Sequence, residues 1–333
     1  MTLKLGINGF GRIGRSVLRA ALDRAGEGIE VVAINDLAPL ETNAHLFEFD
    51  SVHGRLPHPV TLGPGTMDAG RGPIRVTAEA DPAQLSWQDV DIALECTAKF
   101  CAPEDAARHL QNGSSSVLLS APAKGDMKTI VFGINDAEVT AEDQMISNGS
   151  CTTNCLVPVV KVLDDAFGLI RGHMTTVHCY TGSQKVHDTA HRDLYRARAA
   201  NLSMSPTTTG AAETLGLVLP DLTGKITGTA IRVPTPNVSC CDLTVETRTP
   251  LRAEDVTAAM QAAADGPLKG ILDVEHRPLV SIDYNHTTVS ATYAADQTSV
   301  QQETLLRVLA WYDNEWAFAN RMLDTAGVMG RFL

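Results

Sequence analysis

The chain has no apolar run approaching the roughly 18 residues that a membrane-spanning helix requires, and charged residues recur throughout its length. It also lacks a basic surplus. Against 39 Asp and Glu stand 27 Lys and Arg, a formal charge of −12, which argues against a surface built to hold nucleic acid by its phosphates. The seven cysteines show no metal-ligand spacing, since Cys151 and Cys155 lie one helical turn apart and Cys240 and Cys241 are adjacent. No metal site is therefore expected. An odd cysteine number, behind an N-terminus that reads as a strand and not as a signal peptide, predicts reduced thiols and a cytoplasmic protein. On that reading Asn201-Leu202-Ser203 and Asn237-Val238-Ser239 carry no glycan. There are no repeats, low-complexity tracts or linkers. What is present is ordinary globular composition, 44% hydrophobic and 20% charged over 333 residues. A chain of that length outgrows a single core, so two domains are expected.

The first motif stands at the start. Lys4-Leu5-Gly6-Ile7-Asn8 reads as a buried strand and runs straight into Gly9-Phe10-Gly11-Arg12-Ile13-Gly14-Arg15, after which Val17, Leu18, Ala21 and Leu22 have helical spacing. Gly9 permits the tight turn, Gly11 admits a pyrophosphate close to the backbone, and Gly14 lets the helix pack on the strand. A second strand over residues 29–34 ends in Asn35-Asp36, where an acid can meet an adenosine ribose hydroxyl. Glycine loops alone match by chance; strand, loop, helix, strand and acid in this order predict a dinucleotide site.

The second motif is Ser147-Asn148-Gly149-Ser150-Cys151-Thr152-Thr153-Asn154-Cys155, with Thr176-Val177-His178 further on. A cysteine that opens a long apolar-periodic helix meets unpaired backbone N–H groups and a positive dipole end, which favour thiolate. A distant histidine can complete a Cys/His pair once the chain folds. The plain alternative, a small buried thiol and a strand histidine, is outweighed by the neighbouring dinucleotide motif. Cys155, one turn into the helix, is read as structural.

Residues 3–8, 29–34, 90–95, 116–120 and 129–133 read as strands alternating with helices, the mark of a mainly parallel sheet. Residues 56–73 read as a hairpin insertion. Beyond the helix from Cys151, with Leu156, Val159, Val160, Leu163 and Phe167 inward, strands are expected at 174–179, 229–234, 240–248, 279–283, 289–293 and 306–311. A long irregular loop covers about 180–205, a length usually kept for function.

Those motifs, with Asp50-Ser51-Val52-His53-Gly54-Arg55, Thr208-Thr209-Gly210-Ala211-Ala212, Arg232-Val233-Pro234-Thr235-Pro236-Asn237-Val238 and Trp311-Tyr312-Asp313-Asn314-Glu315-Trp316, closely resemble the phosphorylating glyceraldehyde-3-phosphate dehydrogenases. The resemblance implies an α/β fold: an N-terminal Rossmann-type doubly wound sheet plus an α+β catalytic domain with a mixed sheet. The implied domains are 1–150 with a returning helix at 315–333, and 151–314, with the 180–205 loop as the S-loop that lines a neighbouring subunit's cofactor site in a homotetramer. It implies oxidation of glyceraldehyde 3-phosphate to 1,3-bisphosphoglycerate with NAD and inorganic phosphate through a thiohemiacetal and a thioester, in glycolysis and gluconeogenesis. Cys151 is then the nucleophile and His178 the base. Ser150, Thr152, Arg196, Thr209 and Gly210 match positions that hold the attacking phosphate; Thr181 and Arg232 match those holding the substrate's own. Gly9, Phe10, Gly11, Arg12, Ile13, Asp36, Thr97 and Ser120 match cofactor positions, and Asn314 the residue that holds the nicotinamide carboxamide.

The sequence departs from the family pattern near the phosphates. Ser183 stands where aspartate is frequent, and Glu213 where Gly-Ala-Ala is normally followed by lysine. Ala98 replaces a glycine after Glu95-Cys96-Thr97, Ala317 another glycine, and Phe318 a tyrosine. Thr287-Thr288-Val289 replaces a turn that usually contains Pro or His. Asp36 opposes a 2′-phosphate and favours NAD, while Thr189-Ala190, where strict NAD members often carry Leu-Pro, leaves NADP open as a second cofactor. Two other readings stand: an erythrose-4-phosphate dehydrogenase, which keeps the same Cys/His pair, and a catalytically weak paralogue that binds or senses redox state through Cys151.

Overall fold

The structure is a computed structural model and describes residues 2–333. The chain divides into two compact units, one made of the residues up to Ser150 together with Phe318–Leu333, the other of Cys151–Ala317.

In the first unit, β1 (Leu3–Asn8) leads through the glycine loop into α1 (Arg12–Asp23) and on to β2 (Ile29–Asn35). Further strands are β3 (Thr61–Gly63), β4 (Thr66–Asp68), β5 (Pro73–Thr77), β6 (Ile92–Glu95), β7 (Ser116–Leu119) and β8 (Met145–Ser147). Their order across the sheet is β8-β7-β6-β1-β2-β5-β4-β3. Every pair from β8 to β5 is parallel, and β3 and β4 add an antiparallel hairpin at one edge. The central strands β1, β6 and β7 carry Leu5, Ile7, Leu94 and Leu118 with no exposed surface, as strands covered on both faces require. The expected strand at 129–133 does not form. Thr129 makes one isolated bridge to Ser147, and β8 takes the edge of the sheet instead.

The second unit opens with α2 (Cys151–Phe167) and β9 (Leu169–Cys179), whose end feeds the irregular 180–204 segment. Then come β10 (Ser205–Thr207), α3 (Ala211–Val218), β11 (Ile226–Val233), β12 (Ser239–Thr247), α4 (Ala253–Asp265), β13 (Leu272–Glu275), β14 (Ala291–Ala294), β15 (Ser299–Gln301) and β16 (Leu305–Tyr312). The sheet runs β10-β11-β9-β12-β16-β14-β13, with β15 also on β16. It is mixed: β9 and β11 are parallel, whereas β12 lies antiparallel to both β9 and β16. Leu156, Val160 and Leu163 of α2 are buried as their spacing predicts. Residues 279–283 form no strand; a 3₁₀ turn, Ser281–Tyr284, lies there, with Val280 and Ile282 exposed. The last helix, α5 (Trp316–Met329), starts where Asp313 accepts the N–H groups of Glu315 and Trp316 at 2.9 and 2.8 Å, an N-cap arrangement.

Among the described residues no helix is long and apolar enough to cross a membrane, no group of His, Cys, Asp and Glu is arranged to hold a metal, and all seven cysteines are free thiols.

Candidate active site

The first unit carries a cleft of 340 Å³ beside the glycine loop, with Gly9, Gly11, Asp36 and Thr97 among its walls. Gly9 has φ +92, and a Cβ there would lie 2.8 Å from the Thr97 backbone nitrogen; one on Gly14 would lie 2.2 Å from the Gly9 carbonyl oxygen. Both close approaches require glycine. A Cβ on Gly11 would meet nothing within 4 Å, so its side of the loop stays open. The Asp36 carboxylate closes the β1–β2 end of the cleft and accepts the N–H groups of Phe10 and Ala38 at 2.8 and 2.9 Å. Beneath the cleft, buried polar side chains hold the loops. Asn8 donates to Glu95 at 2.6 Å and accepts from Asn35 at 2.7 Å, His109 lies 3.0 Å from Glu95, and Glu95 accepts the Thr97 N–H at 2.7 Å and also its hydroxyl. Open glycine, helix start and acid fit a dinucleotide's pyrophosphate and ribose.

The other cofactor positions have different tasks. Phe10 is buried against Phe47, ring centroids 5.5 Å apart. Arg12, the first residue of α1, is ion-paired with Asp50. Ile13 is half-buried on the same turn. Ser120 follows β7, where its N–H bonds the Glu95 carbonyl at 3.0 Å and its hydroxyl meets Cys96. Ala98, in the glycine position, has φ 57 and so adopts the left-handed backbone that glycine would take without strain.

In the second unit the Cys151 sulfur lies 3.5 Å from His178 Nε2. Cys151 sits there because the turn before it is fixed: Gly149 has φ +64 and donates its N–H to the Ser147 hydroxyl at 3.0 Å, which leaves Ser150 and Cys151 at the start of α2. His178 is the penultimate residue of β9 and pairs in register with Arg232 of β11. Arg232 NH1 lies 2.6 Å from His178 Nδ1 and 3.0 Å from the Cys179 carbonyl. Nδ1 itself lies 2.8 Å from the same Cys179 carbonyl, which only accepts, so a proton on Nδ1 satisfies that carbonyl and leaves the Nε2 lone pair facing the sulfur. The Tyr312 hydroxyl joins Thr152 and Thr176, each at 2.9 Å, and the Tyr312 ring meets His178 edge-on at 6.0 Å.

The helix start and the histidine favour a thiolate at Cys151, and burial opposes it. Burial pushes the Cys151 thiol up to about 11, against the Arg232 charge and hydrogen bonds from Thr152. Burial, aided by Arg232, takes His178 down to about 3. Both shifts favour the neutral pair, thiol and imidazole, over the ion pair. Cys155 is deeper still, with no exposed surface, and its thiol is raised by burial and by Cys241 beside it.

The phosphate positions fall into three groups. Arg196 lies 3.4 Å from both Asp193 and the Thr207 hydroxyl, and Ser205, two residues before Thr207, is in register with Arg232. Thr209 and Gly210 form the start of α3, where the Thr209 hydroxyl accepts the Ala211 N–H at 3.2 Å. Thr181 shares its hydroxyl with Ser183 at 3.1 Å. Thr152 is buried, with its hydroxyl shared between Tyr312 and the Cys151 sulfur and its N–H also on that sulfur. Glu213 is exposed in the first turn of α3.

Asn314 is held from several sides. Its Oδ1 accepts the Cys179 thiol and the Ser239 hydroxyl, each at 3.2 Å. Beside it Asp313, fully buried, also accepts Asn237 Nδ2 at 2.9 Å and the His286 N–H at 2.6 Å. The 232–238 and 311–316 motifs thus meet in one hydrogen-bonded cluster. Sequence reasoning missed Tyr312, Thr176, Cys179, Ser239 and Asp313 as supports. Only the presence of Tyr312 and Asp313 inside a recognised motif, and of Thr176 two residues before His178, hinted at them.

A Rossmann-type nucleotide unit and a second unit with a facing cysteine and histidine define an NAD-dependent oxidoreductase. Comparison with known proteins narrows the class. Residues 3–103 match the family model for the glyceraldehyde 3-phosphate dehydrogenase NAD binding domain, and residues 150–314 that for the C-terminal domain. Glyceraldehyde-3-phosphate dehydrogenases of Cereibacter sphaeroides and Xanthobacter flavus are 58% and 57% identical, over 100% and 99% of both chains. That of Geobacillus stearothermophilus is 51% identical over 98% of each. The chain belongs to the glyceraldehyde-3-phosphate dehydrogenase family: it is a phosphorylating aldehyde dehydrogenase that oxidises glyceraldehyde 3-phosphate and uses NAD.

Proposed function

We propose that Cys151 is the nucleophile and His178 the acid/base of this oxidation, and that the 3.5 Å approach of Cys151 Sγ to His178 Nε2 is the observation that carries the assignment. NAD, when bound, supplies the hydride acceptor. His178 Nε2 takes the Cys151 thiol proton as the sulfur adds to the aldehyde carbon and passes it to the carbonyl oxygen, which gives the thiohemiacetal with the imidazole neutral again. In the oxidation Nε2 takes that hydroxyl proton back as the thioester carbonyl forms, and moving the Arg232 charge away from Nδ1 favours the imidazolium so made. Arg232 is also the arginine we assign to the substrate's phosphate, so substrate binding and a mobile imidazole proton are linked through one side chain. Oxidation leaves an acyl thioester on Cys151. Inorganic phosphate then attacks it, held by Ser150, Thr152, Arg196, Thr209 and Gly210, and 1,3-bisphosphoglycerate leaves.

In this reading the first unit, together with the returning helix, binds the cofactor and Cys151–Ala317 does the chemistry. Gly9, Gly11, Asp36 and Thr97 form the cofactor cradle, Phe10, Arg12, Ile13 and Ser120 shape its floor, and Asn314 holds the nicotinamide carboxamide. A homotetramer is supported by the exposed apolar side chains of the S-loop region, Val186, Leu194, Leu202 and Met204, each more than half exposed in the single chain. We place the enzyme in the cytoplasm, acting in glycolysis and, in reverse, in gluconeogenesis, with no nucleic acid or membrane partner; the acidic charge and free thiols support this.

kcat/KM for triose phosphate, tetrose phosphate and unphosphorylated aldehydes, each with NAD and NADP and with phosphate, tests the assignment. The triose phosphate with NAD is expected to lead. A preference for the tetrose phosphate would move the chain to the erythrose-4-phosphate reading, and negligible turnover of all of them to the redox-sensing one.

A further inference from the structure

The Cys179 thiol lies among the buried groups of the second unit, close to His178 and Asn314, and the chemistry above gives it no task. It is the last residue of β9 and has no exposed surface. Burial, against a hydrogen bond to Ser239, pushes its thiol up to about 12, so it keeps its proton and acts as a donor. Two acceptors are near. His178 Nδ1 is 3.7 Å away but is already engaged by Arg232 at 2.6 Å and the Cys179 carbonyl at 2.8 Å. Asn314 Oδ1, at 3.2 Å, is the better one.

Ser239 completes the arrangement from β12. Its hydroxyl oxygen accepts the Cys179 N–H at 3.1 Å, and its own proton points to Asn314 Oδ1 at 3.2 Å. Two donors therefore saturate the two lone pairs of one amide oxygen. Turning the Asn314 amide over would set NH₂ protons against the Cys179 and Ser239 protons and leave the Ser239 hydroxyl, 1% exposed, only the Cys179 sulfur, a weak acceptor. Unpaired buried donors are the costly case. The amide therefore has one orientation, with Nδ2 on the side away from Cys179 and Ser239, where no other described group accepts from it.

We propose that Cys179 and Ser239 are positioning residues that lock the Asn314 amide with its nitrogen presented, so that this position reads the carbonyl oxygen of a nicotinamide carboxamide and not its amino group. The proposal rests on the reading of Asn314 as the carboxamide partner and goes beyond it by fixing which atom is read and what fixes it.

Two measurements test it. In the cofactor-free protein, the S–H infrared band lost in Cys179→Ala identifies this thiol. It is expected at the low frequency of a hydrogen-bonded S–H and to move up in Asn314→Ala; an unmoved band overturns the proposal. The second is calorimetric binding of two dinucleotide analogues, the 3-acetylpyridine form, which keeps the carbonyl and lacks the amino group, and the thionicotinamide form, which keeps the amino group and replaces the oxygen by a poor acceptor. The unmodified enzyme is expected to prefer the acetylpyridine form by about three- to tenfold, the worth of one neutral hydrogen bond. Cys179→Ser, which keeps a donor, should retain the preference. The double variant Cys179→Ala with Ser239→Ala should reduce it to about twofold or less. A preference that survives Asn314→Ala would show that Asn314 does not touch the ring substituent, and the underlying reading would fail. A preference lost in Asn314→Ala but intact in the double variant would leave that reading standing and overturn the positioning role alone.

Discussion

Asp50 belongs to a motif that sequence reasoning associates with the family without a task, and the structure supplies one. Its carboxylate receives Arg12 at the start of α1 and also the N–H groups of Val52 and His53 at 2.8 and 2.9 Å. Burial raises this carboxyl, but the hydrogen bonds from Arg12, His53 and Val52 outweigh it and hold the group down to about 2. Its side chain is 4% exposed, so solvent screening removes little of the effect. A carboxyl that falls from about 3.8 in the unfolded chain to about 2 in the folded one contributes about 2 kcal/mol. The folded value is depressed, so the contribution is complete above about pH 4 and fades as the pH falls toward 2. Asp50→Asn should therefore lower the stability of the first unit by about 2 kcal/mol at neutral pH. The gap to the unmodified protein should close on acidification through that window. With two units in the chain a single unfolding free energy is poorly defined, so the assay is hydrogen exchange of the α1 amides as a function of pH. A gap below about 0.5 kcal/mol at neutral pH, or one that does not change between pH about 5 and about 2, would refute the reasoning.

Ala98→Gly should stabilise the same unit by about 0.5–1 kcal/mol, since relief of a left-handed alanine exceeds the added freedom of the unfolded glycine; unchanged exchange in residues 96–100 would show that Ala98 is not strained. Asp36→Gly should raise NADP use relative to NAD by removing a charge that repels the 2′-phosphate, and it should weaken NAD binding too, because Asp36 also ties down the Phe10 and Ala38 N–H groups; an unchanged cofactor ratio would show that Asp36 does not set the choice. Glu213→Lys should lower the KM for inorganic phosphate, but by less than about tenfold because Glu213 is exposed and its charge is screened; equal KM values would make that departure silent.

The glycine loop was legible because each of its constraints is local: a left-handed turn at Gly9, close packing at Gly14 and an acid after the next strand all follow from residue type and spacing. The apolar face of α2 was legible for the same reason. The edge strand at 129–133 was misread because a short apolar run has no periodicity that separates a strand from a packed loop, and 279–283 failed likewise. The balance at Cys151 was only half legible. The sequence shows the helix start and the histidine that lower a thiol pKa, but not the burial that raises it. The lock on Asn314 was hidden most deeply, because Cys179, Ser239 and Asn314 lie far apart in the chain and only sheet register brings them together.

The central claim is that Cys151 carries the acyl group. Rapid mixing of the enzyme with NAD and glyceraldehyde 3-phosphate, with phosphate withheld, should give a burst of reduced cofactor approaching one per chain. Mass spectrometry of the quenched protein should then place the acyl group on the peptide containing Cys151. Cys155→Ser should keep both signals and Cys151→Ser should lose both, with steady turnover returning to the unmodified enzyme only when phosphate is added. A burst that persists in Cys151→Ser, or an acyl group on any other residue, would contradict the account.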